Sequence, residues 1–292
     1  MILSHFYSWS KVNDLLIPNV MAEFRDNGVK HMVFGDYWTE RMLNERRFFN
    51  TIKQHAHQMG ITLFEMHAPF SAAFDLSCME KGRIPQLLEE HSMLLQYAAE
   101  LGSKTYTIHI GSYEAIQIGT PLDVIREHVT AALEKLLPVA EKTDMIIAVE
   151  NGMSPADTPD EAVAYVHHFN SKHIGNCFDV GHANVMNARD TKRQEFFSDY
   201  LRGAWGGTVR QYEDCLSIMA PTIVTCHLHD NNSYSDQHNK IGSGTIDWPT
   251  LMHRLATECP RLQSLQNETS STGRYSVKEN VTAALNVMQY FK

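Results

Sequence analysis

Eight short apolar, β-prone runs alternate with amphipathic stretches from one end of the chain to the other. The runs fall near 2–6, 31–35, 62–67, 104–110, 145–150, 174–179, 222–228 and 262–267. Helical periods lie near 17–28, 41–59, 83–102, 121–142, 159–170, 191–219, 248–258 and 275–291. Alternation of this kind implies a parallel sheet with crossover helices, and eight strands are the number that close a (β/α)8 barrel. The last run, RLQSLQNET, is more polar than a buried strand should be, so a doubly wound open sheet is the competing fold. No Pro/Ser/Gly-rich linker or internal repeat divides the chain, and residues 1–292 read as one domain. Thr158 before Pro159-Asp160-Glu161 and Asp247 before Trp248-Pro249 read as helix caps.

The runs end in residues that can bind metal. His67, His109, Glu150, Asp179, His182, His227, Asp236, His238 and Glu268 stand at or just beyond strand ends, in MHAPF, TIHIGS, AVENG, CFDVGH, CHLHD, SDQH and QNET. In a barrel all the strands aim their C-terminal ends at one mouth, which gives these residues a common focus. Side chains alternate along a strand, so every second residue faces the interior. By that rule His109 shares a face with Thr105 and Thr107, Glu150 with Ile146 and Ala148, Asp179 with Cys177, and His227 with Thr225. Tyr106, Ile108, Phe178, Val224, Cys226 and Leu228 are left to face the helices. Each candidate ligand thus falls on the smaller or more polar side. Carboxylates buried at strand ends need a cation or a dense hydrogen-bond network to offset desolvation. Mixed carboxylate and imidazole donors suit zinc, manganese, cobalt or iron better than calcium. Gly181 is expected to let the chain turn so that Asp179 and His182 both reach the mouth, and Asp236 and His238 lie in a loop. Tyr37, Trp38 and Phe70, read as loop residues, are candidate pocket walls.

The remaining bulk properties narrow the class. The formal charge of −9 argues against a general nucleic-acid binder, which would carry a basic patch. No apolar run reaches the length of a membrane span, and the N-terminus lacks a secretory pattern. Five cysteines without CxxC spacing indicate neither a disulfide framework nor a thiolate zinc site, and a reducing cytoplasm is the expected compartment. Cys177 and Cys226 read as core residues. His55, His57, His91, His128, His167, His168 and His253 fall within helical patterns and are expected on solvated faces.

At these motifs the chain resembles the xylose isomerase-like TIM-barrel superfamily, which includes sugar and sugar-phosphate isomerases and epimerases as well as endonuclease IV. The resemblance runs from HAPF at 67 through ENG at 150, DxGH at 179, HxHD at 227 and GSGTIDW at 242 to QNET at 266–269. The isomerase/epimerase branch implies one divalent metal held by Glu150, Asp179, His227 and Glu268. Glu150 and Glu268 would also be its acid/base pair, and His182, with His67 and His109, would contact a carbohydrate substrate. The endonuclease branch implies up to three zincs, a first on His67, His109 and Glu150, a second on Glu150, Asp179, His227 and Glu268, and a third on His182, Asp236 and His238. The loops argue for the isomerase branch. The endonuclease branch's Tyr- and Asn-bearing stretch after HAPF is Phe70-Ser71-Ala72-Ala73-Phe74 here, its DTCH is Asp179-Val180-Gly181-His182, and no Lys or Arg lies between His227 and His238. DNA phosphates want cationic or amide contacts. The expected protein is therefore a metal-dependent sugar or sugar-phosphate isomerase or epimerase, with an abasic-site endonuclease as the alternative. Homo-oligomers are common in such a superfamily.

Overall fold

The computed structural model describes residues 1–35, 37–111, 113–187, 191–269 and 274–292. Its strands are β1 (Ile2–His5), β2 (His31–Phe34), β3 (Thr62–His67), β4 (Thr105–Ile108), β5 (Ile146–Glu150), β6 (Ile174–Asp179), β7 (Ile223–Leu228) and β8 (Ser264–Asn267). They pair in parallel in sequence order, and β8 pairs with β1 to close the ring. The open-sheet alternative is excluded. The eighth strand exists, and its polarity has a cause: Ser264 and Gln266 face a barrel interior that is itself polar. Ser4, Thr225 and Ser264 donate hydroxyls to the buried carboxylate of Glu65, and Gln266 Nε2 reaches Glu268 Oε1 at 3.4 Å.

Of the positions whose facing was expected, one fails. Tyr106 points at the helices, where its hydroxyl meets His91 Nδ1 at 2.7 Å. Val224, expected outside, lies inside with Ile146, Ala148 and Cys177. The register shifts between Asn176 and Cys177, which pair with Ile223 and Thr225 and leave Val224 as an extra residue in β7. Such a bulge re-aims a side chain while restoring the alternation beyond it, so Thr225 and His227 still face inward.

The helices are α1 (Ile17–Asp26), α2 (Tyr37–Asn44), α3 (Arg46–Met59), α4 (Ile84–Leu101), α5 (Tyr113–Gln117), α6 (Leu122–Thr143), α7 (Pro159–Phe169), α8 (Val180–Met186), α9 (Asp199–Ala204), α10 (Cys215–Met219), α11 (Trp248–Glu258) and α12 (Val277–Met288). Both expected caps form: Thr158 accepts from Glu161 N, and Asp247 from Thr250 N. Two expected helices are broken. The 41–59 segment starts earlier, at Tyr37, and splits at Glu45, whose φ of −131° and ψ of 81° are not helical. The 191–219 segment is a series of short helical pieces. Gly206 and Gly207, at φ 65° and 116°, interrupt it, and their lack of a Cβ permits this left-handed backbone. This excursion between β6 and β7 is held near the mouth by Trp205, whose Nε1 donates to the Met153 carbonyl at 2.8 Å.

His91 is also corrected. It is fully buried on α4, between the Tyr106 hydroxyl and the Phe74 carbonyl, because the position packs on the barrel. The other six helical histidines are exposed or half-buried. All five cysteines are buried thiols. No described helix is long and apolar enough to cross a membrane.

Candidate metal centre at the barrel mouth

All nine expected ligands meet at the C-terminal mouth. Glu150, at the end of β5, is at the centre. Its Oε2 lies 3.3 Å from His67 Nε2 and 3.1 Å from His109 Nε2, and its Oε1 lies 3.3 Å from His227 Nδ1. His227 Nδ1 faces three carboxylates from three other strand ends: Glu268 Oε2 at 3.0 Å, Glu150 Oε1 at 3.3 Å and Asp179 Oδ2 at 3.7 Å. These groups are close enough to attract but are not aligned as hydrogen bonds. Glu150 Oε2, both ring nitrogens of His227 and Asp236 Oδ1 are buried without a hydrogen-bond partner. Buried polar atoms are rarely left so, and a shared cation would satisfy them.

A third cluster adjoins this focus. Asp236 Oδ2 lies 2.9 Å from His238 Nε2 and 3.4 Å from His182 Nε2. Triplets His67–His109–Glu150, Glu150–Asp179–His182, His67–His227–Glu268 and His229–Asp236–His238 each hold their donor atoms within 4.8 Å of one another.

Backbone carbonyls set the tautomers of three imidazoles. His67 Nδ1 bonds the Ala68 carbonyl at 2.7 Å, His182 Nδ1 the Asn151 carbonyl at 2.8 Å, and His238 Nδ1 the Glu268 carbonyl at 3.1 Å. A carbonyl only accepts, so each Nδ1 carries the proton. Each Nε2 is left facing a carboxylate and within reach of a shared cation, as outer hydrogen bonds orient metal-binding histidines.

Burial and charge oppose each other throughout. Burial disfavours ionised Glu150, yet the imidazoles of His227 and His109 outweigh it and hold the carboxyl well below its ordinary range. Asp179 is likewise held low against burial by His182 and His229. Burial would depress His227, but Cys177, Glu268 and Glu150 raise it well above the ordinary value. His238 is raised to about 10 against burial, through its hydrogen bond to Asp236. Protonated imidazoles balance the carboxylates here, and cation binding would displace those protons.

Two contributors went unassigned in the sequence. His229 is fully buried, with Nε2 3.0 Å from Asp179 Oδ2 and its ring stacked on His238 at 3.9 Å. The parity that picked out Thr225 and His227 picks it out too. Asn151 ties β5 to β6: its Oδ1 accepts from Asp179 N at 2.8 Å and its Nδ2 donates to the Asp179 carbonyl at 3.2 Å. Gly181 has a different role from the turn expected of it. It lies in the first turn of α8, capped by Asp179, which accepts from His182 N at 2.7 Å. A Cβ at Gly181 would sit 1.9 Å from His229 Cε1, so glycine here makes room for the imidazole.

The cluster opens into a cleft of about 440 Å3. Phe70, as expected, is a wall, stacked on His109 with centroids 4.8 Å apart. Trp38 is not a wall: it is buried in α2 against Trp9 at 4.0 Å. Tyr37, also on α2, lines a separate surface groove with Arg41. Asp157 lines the cleft, and burial pushes its carboxyl up to about 6.

A closed eight-stranded barrel with carboxylates and imidazoles gathered at its C-terminal mouth defines a TIM barrel with a candidate metal site. Residues 21–259 match the family model described as xylose isomerase-like TIM barrel, and the chain belongs to that family. An uncharacterized protein of Methanocaldococcus jannaschii, MJ1311, is 26% identical over 194 residues, or 65% of this chain. The match spans 59% of that relative's length. Among solved structures, the chain is similar to D-psicose 3-epimerase with D-tagatose from Clostridium cellulolyticum H10, at TM-score 0.74, 14% identity and 100% coverage of both chains. It is also similar to an L-ribulose 3-epimerase, at TM-score 0.72 and 14% identity, covering 99% of this chain and 94% of that one. The IOLI protein with a binding zinc atom gives TM-score 0.70 at 14% identity, covering 100% and 98%. At such identities the likeness is one of fold.

Proposed function

We propose that this protein is a divalent-metal-dependent isomerase or epimerase of a sugar or related hydroxy-carbonyl compound. One observation carries the reading: Glu150, Asp179 and Glu268 converge within 3.7 Å of His227 Nδ1 at one buried point. Two glutamates, an aspartate and a histidine make a donor set for zinc, manganese or cobalt. When bound, such a cation supplies Lewis acidity to vicinal oxygens of the substrate. Glu150 and Glu268, on strands three apart around the ring, are the proton-transfer pair: one takes the proton from the carbon beside the carbonyl and the other returns it. His182, with His109 and His67, orients substrate hydroxyls. The likeness in fold to D-psicose 3-epimerase and L-ribulose 3-epimerase supports this chemistry.

A second reading is favoured by a specific observation: His67, His109, His182, Asp236 and His238 also converge, with three tautomers set for metal binding. That inventory suits a polynuclear zinc hydrolase of the endonuclease IV type. Against it, the described residues lining the cleft include no Lys or Arg to grip a phosphodiester. Metal analysis of the purified protein, with solvent-deuterium exchange on a panel of ketoses and aldoses, separates the two. About one tightly bound ion per chain and exchange beside the carbonyl are expected. Close to three zincs, with cleavage of abasic-site DNA and no exchange, would establish the hydrolase.

A further inference from the structure

A free sugar held at the carboxylate–imidazole cluster needs polar partners, yet flat apolar rings stand around the mouth. Phe70 and Tyr200 are each 52% exposed and line the cleft, Phe70 from the loop after β3 and Tyr200 from α9. Tyr234, in the loop after β7, lines it as well, and Phe196, 62% exposed, packs on Tyr234 with centroids 5.1 Å apart. Exposed apolar rings gathered around one cleft mark an interaction site. These rings stand on a braced frame. Gln194 bonds both the Val209 carbonyl and the Val209 N–H, at 2.8 and 2.9 Å, and Trp205 bonds Met153.

The cleft also defines the charge of what enters. Its described lining carries Asp75, Glu150, Asp157 and Asp236 and no Lys or Arg, and its imidazoles, His109 and His182, already face Glu150 at 3.1 Å and Asp236 at 3.4 Å, so no cationic side chain of that lining is left over to grip a phosphate substituent. At about 440 Å3 it lies in the range that holds drug-sized ligands, more than one free hexose fills. A sugar ring presents a face of C–H groups, and an aglycone an apolar surface. Either gains by covering an aromatic ring.

Resting on the isomerase reading above, we propose that the substrate is an uncharged glycoside. The reacting sugar sits at the cluster, and a second ring, sugar or aglycone, stacks on Phe70, Tyr200 and Tyr234, with Phe196 supporting Tyr234. This places the enzyme on glycosides that an oxidation to the keto form must supply and a reduction or a glycosidic cleavage must consume.

The test is ligand-observed NMR titration of the metal-loaded protein with free hexoses, their phenyl glycosides and β-linked disaccharides. The glycosides are expected to bind roughly tenfold tighter than the matching free sugars, the worth of one good aromatic contact. A Phe196→Ala/Tyr200→Ala double variant, at exposed positions that spare the core, is expected to remove that preference. Equal affinity for both classes, a preference that survives the double variant, or no binding by either would overturn the proposal. So would a dimer in sedimentation that the double variant dissolves, since a second copy would then cover the rings. A clear glycoside preference without proton exchange on any keto-glycoside would leave the subsite standing and defeat the isomerase reading instead.

Discussion

Gly181→Ala isolates the part of the site that no ligand inventory reveals. The added methyl would lie 1.9 Å from His229 Cε1 and 2.6 Å from both ring nitrogens, where ordinary contact begins at 3.4 Å. The imidazole must therefore retreat by about 1.5 Å. It is fully buried and already stacked on His238, so the retreat breaks its 3.0 Å contact with Asp179. Losing a hydrogen bond to a charged group costs about 1.5–3 kcal/mol, and overpacking a filled site adds about 1–3 kcal/mol. A total of about 2.5–6 kcal/mol corresponds to a fall in Tm on the order of 10 °C. Asp179 would also lose an orienting partner, which weakens metal binding by roughly 10- to 100-fold. Thermal unfolding and a zinc or manganese titration read the two effects. Gly203→Ala is the control: it sits within α9 with nothing within 4 Å of an added Cβ, and it should be neutral or slightly stabilising. A Gly181→Ala protein with wild-type Tm and metal affinity would refute the role given to His229.

Three other outcomes are expected. Glu150→Gln should abolish solvent-proton exchange into substrate while the circular dichroism spectrum stays native; near-wild-type exchange would remove the proposed acid/base role. Glu65→Ala deprives three buried hydroxyls of their acceptor and should cost about 3 kcal/mol or more in urea unfolding, leaving metal stoichiometry unchanged because the layer lies below the mouth. His5 and His91 are lowered to about 4, in both cases by burial. The unfolded chain therefore binds these protons first, and stability is full above about pH 6.5 and lost as pH falls toward 4, by roughly 3 kcal/mol per group. Urea midpoints across that window should show the fall, and His91→Gln should remove about half of it, leaving the share of His5; a flat wild-type profile would contradict the assignment.

Strand positions were legible because each apolar run is short and its neighbours are amphipathic, so only the ends differ, by at most two residues. The mouth was legible because chemistry-bearing residues sit at those ends with the parity a barrel demands. Periodicity could not show where the alternation slips. The Val224 bulge depends on how β7 registers against β6, a tertiary fact. The excursion of 191–219 reads as helix because its apolar spacing is set by packing over the mouth rather than by a helical face. Phe196 and Tyr200 belong to that segment and remain exposed. His229 could have been found, since it continues the inward face of Thr225 and His227. The motif of the resemblance counts only the first histidine of HLHD as a ligand and so leaves His229 out. Gly181 illustrates the limit of reading glycine as a turn: its φ is not left-handed, and what it permits is a close approach.

The central claim is that one divalent cation sits where β5, β6, β7 and β8 end. Anomalous diffraction from crystals loaded with zinc or manganese tests it directly. A peak is expected within bonding distance of His227 Nδ1 and of the Glu150, Asp179 and Glu268 carboxylates. A loaded crystal with no peak there, or with these four side chains turned to separate partners, would contradict the account.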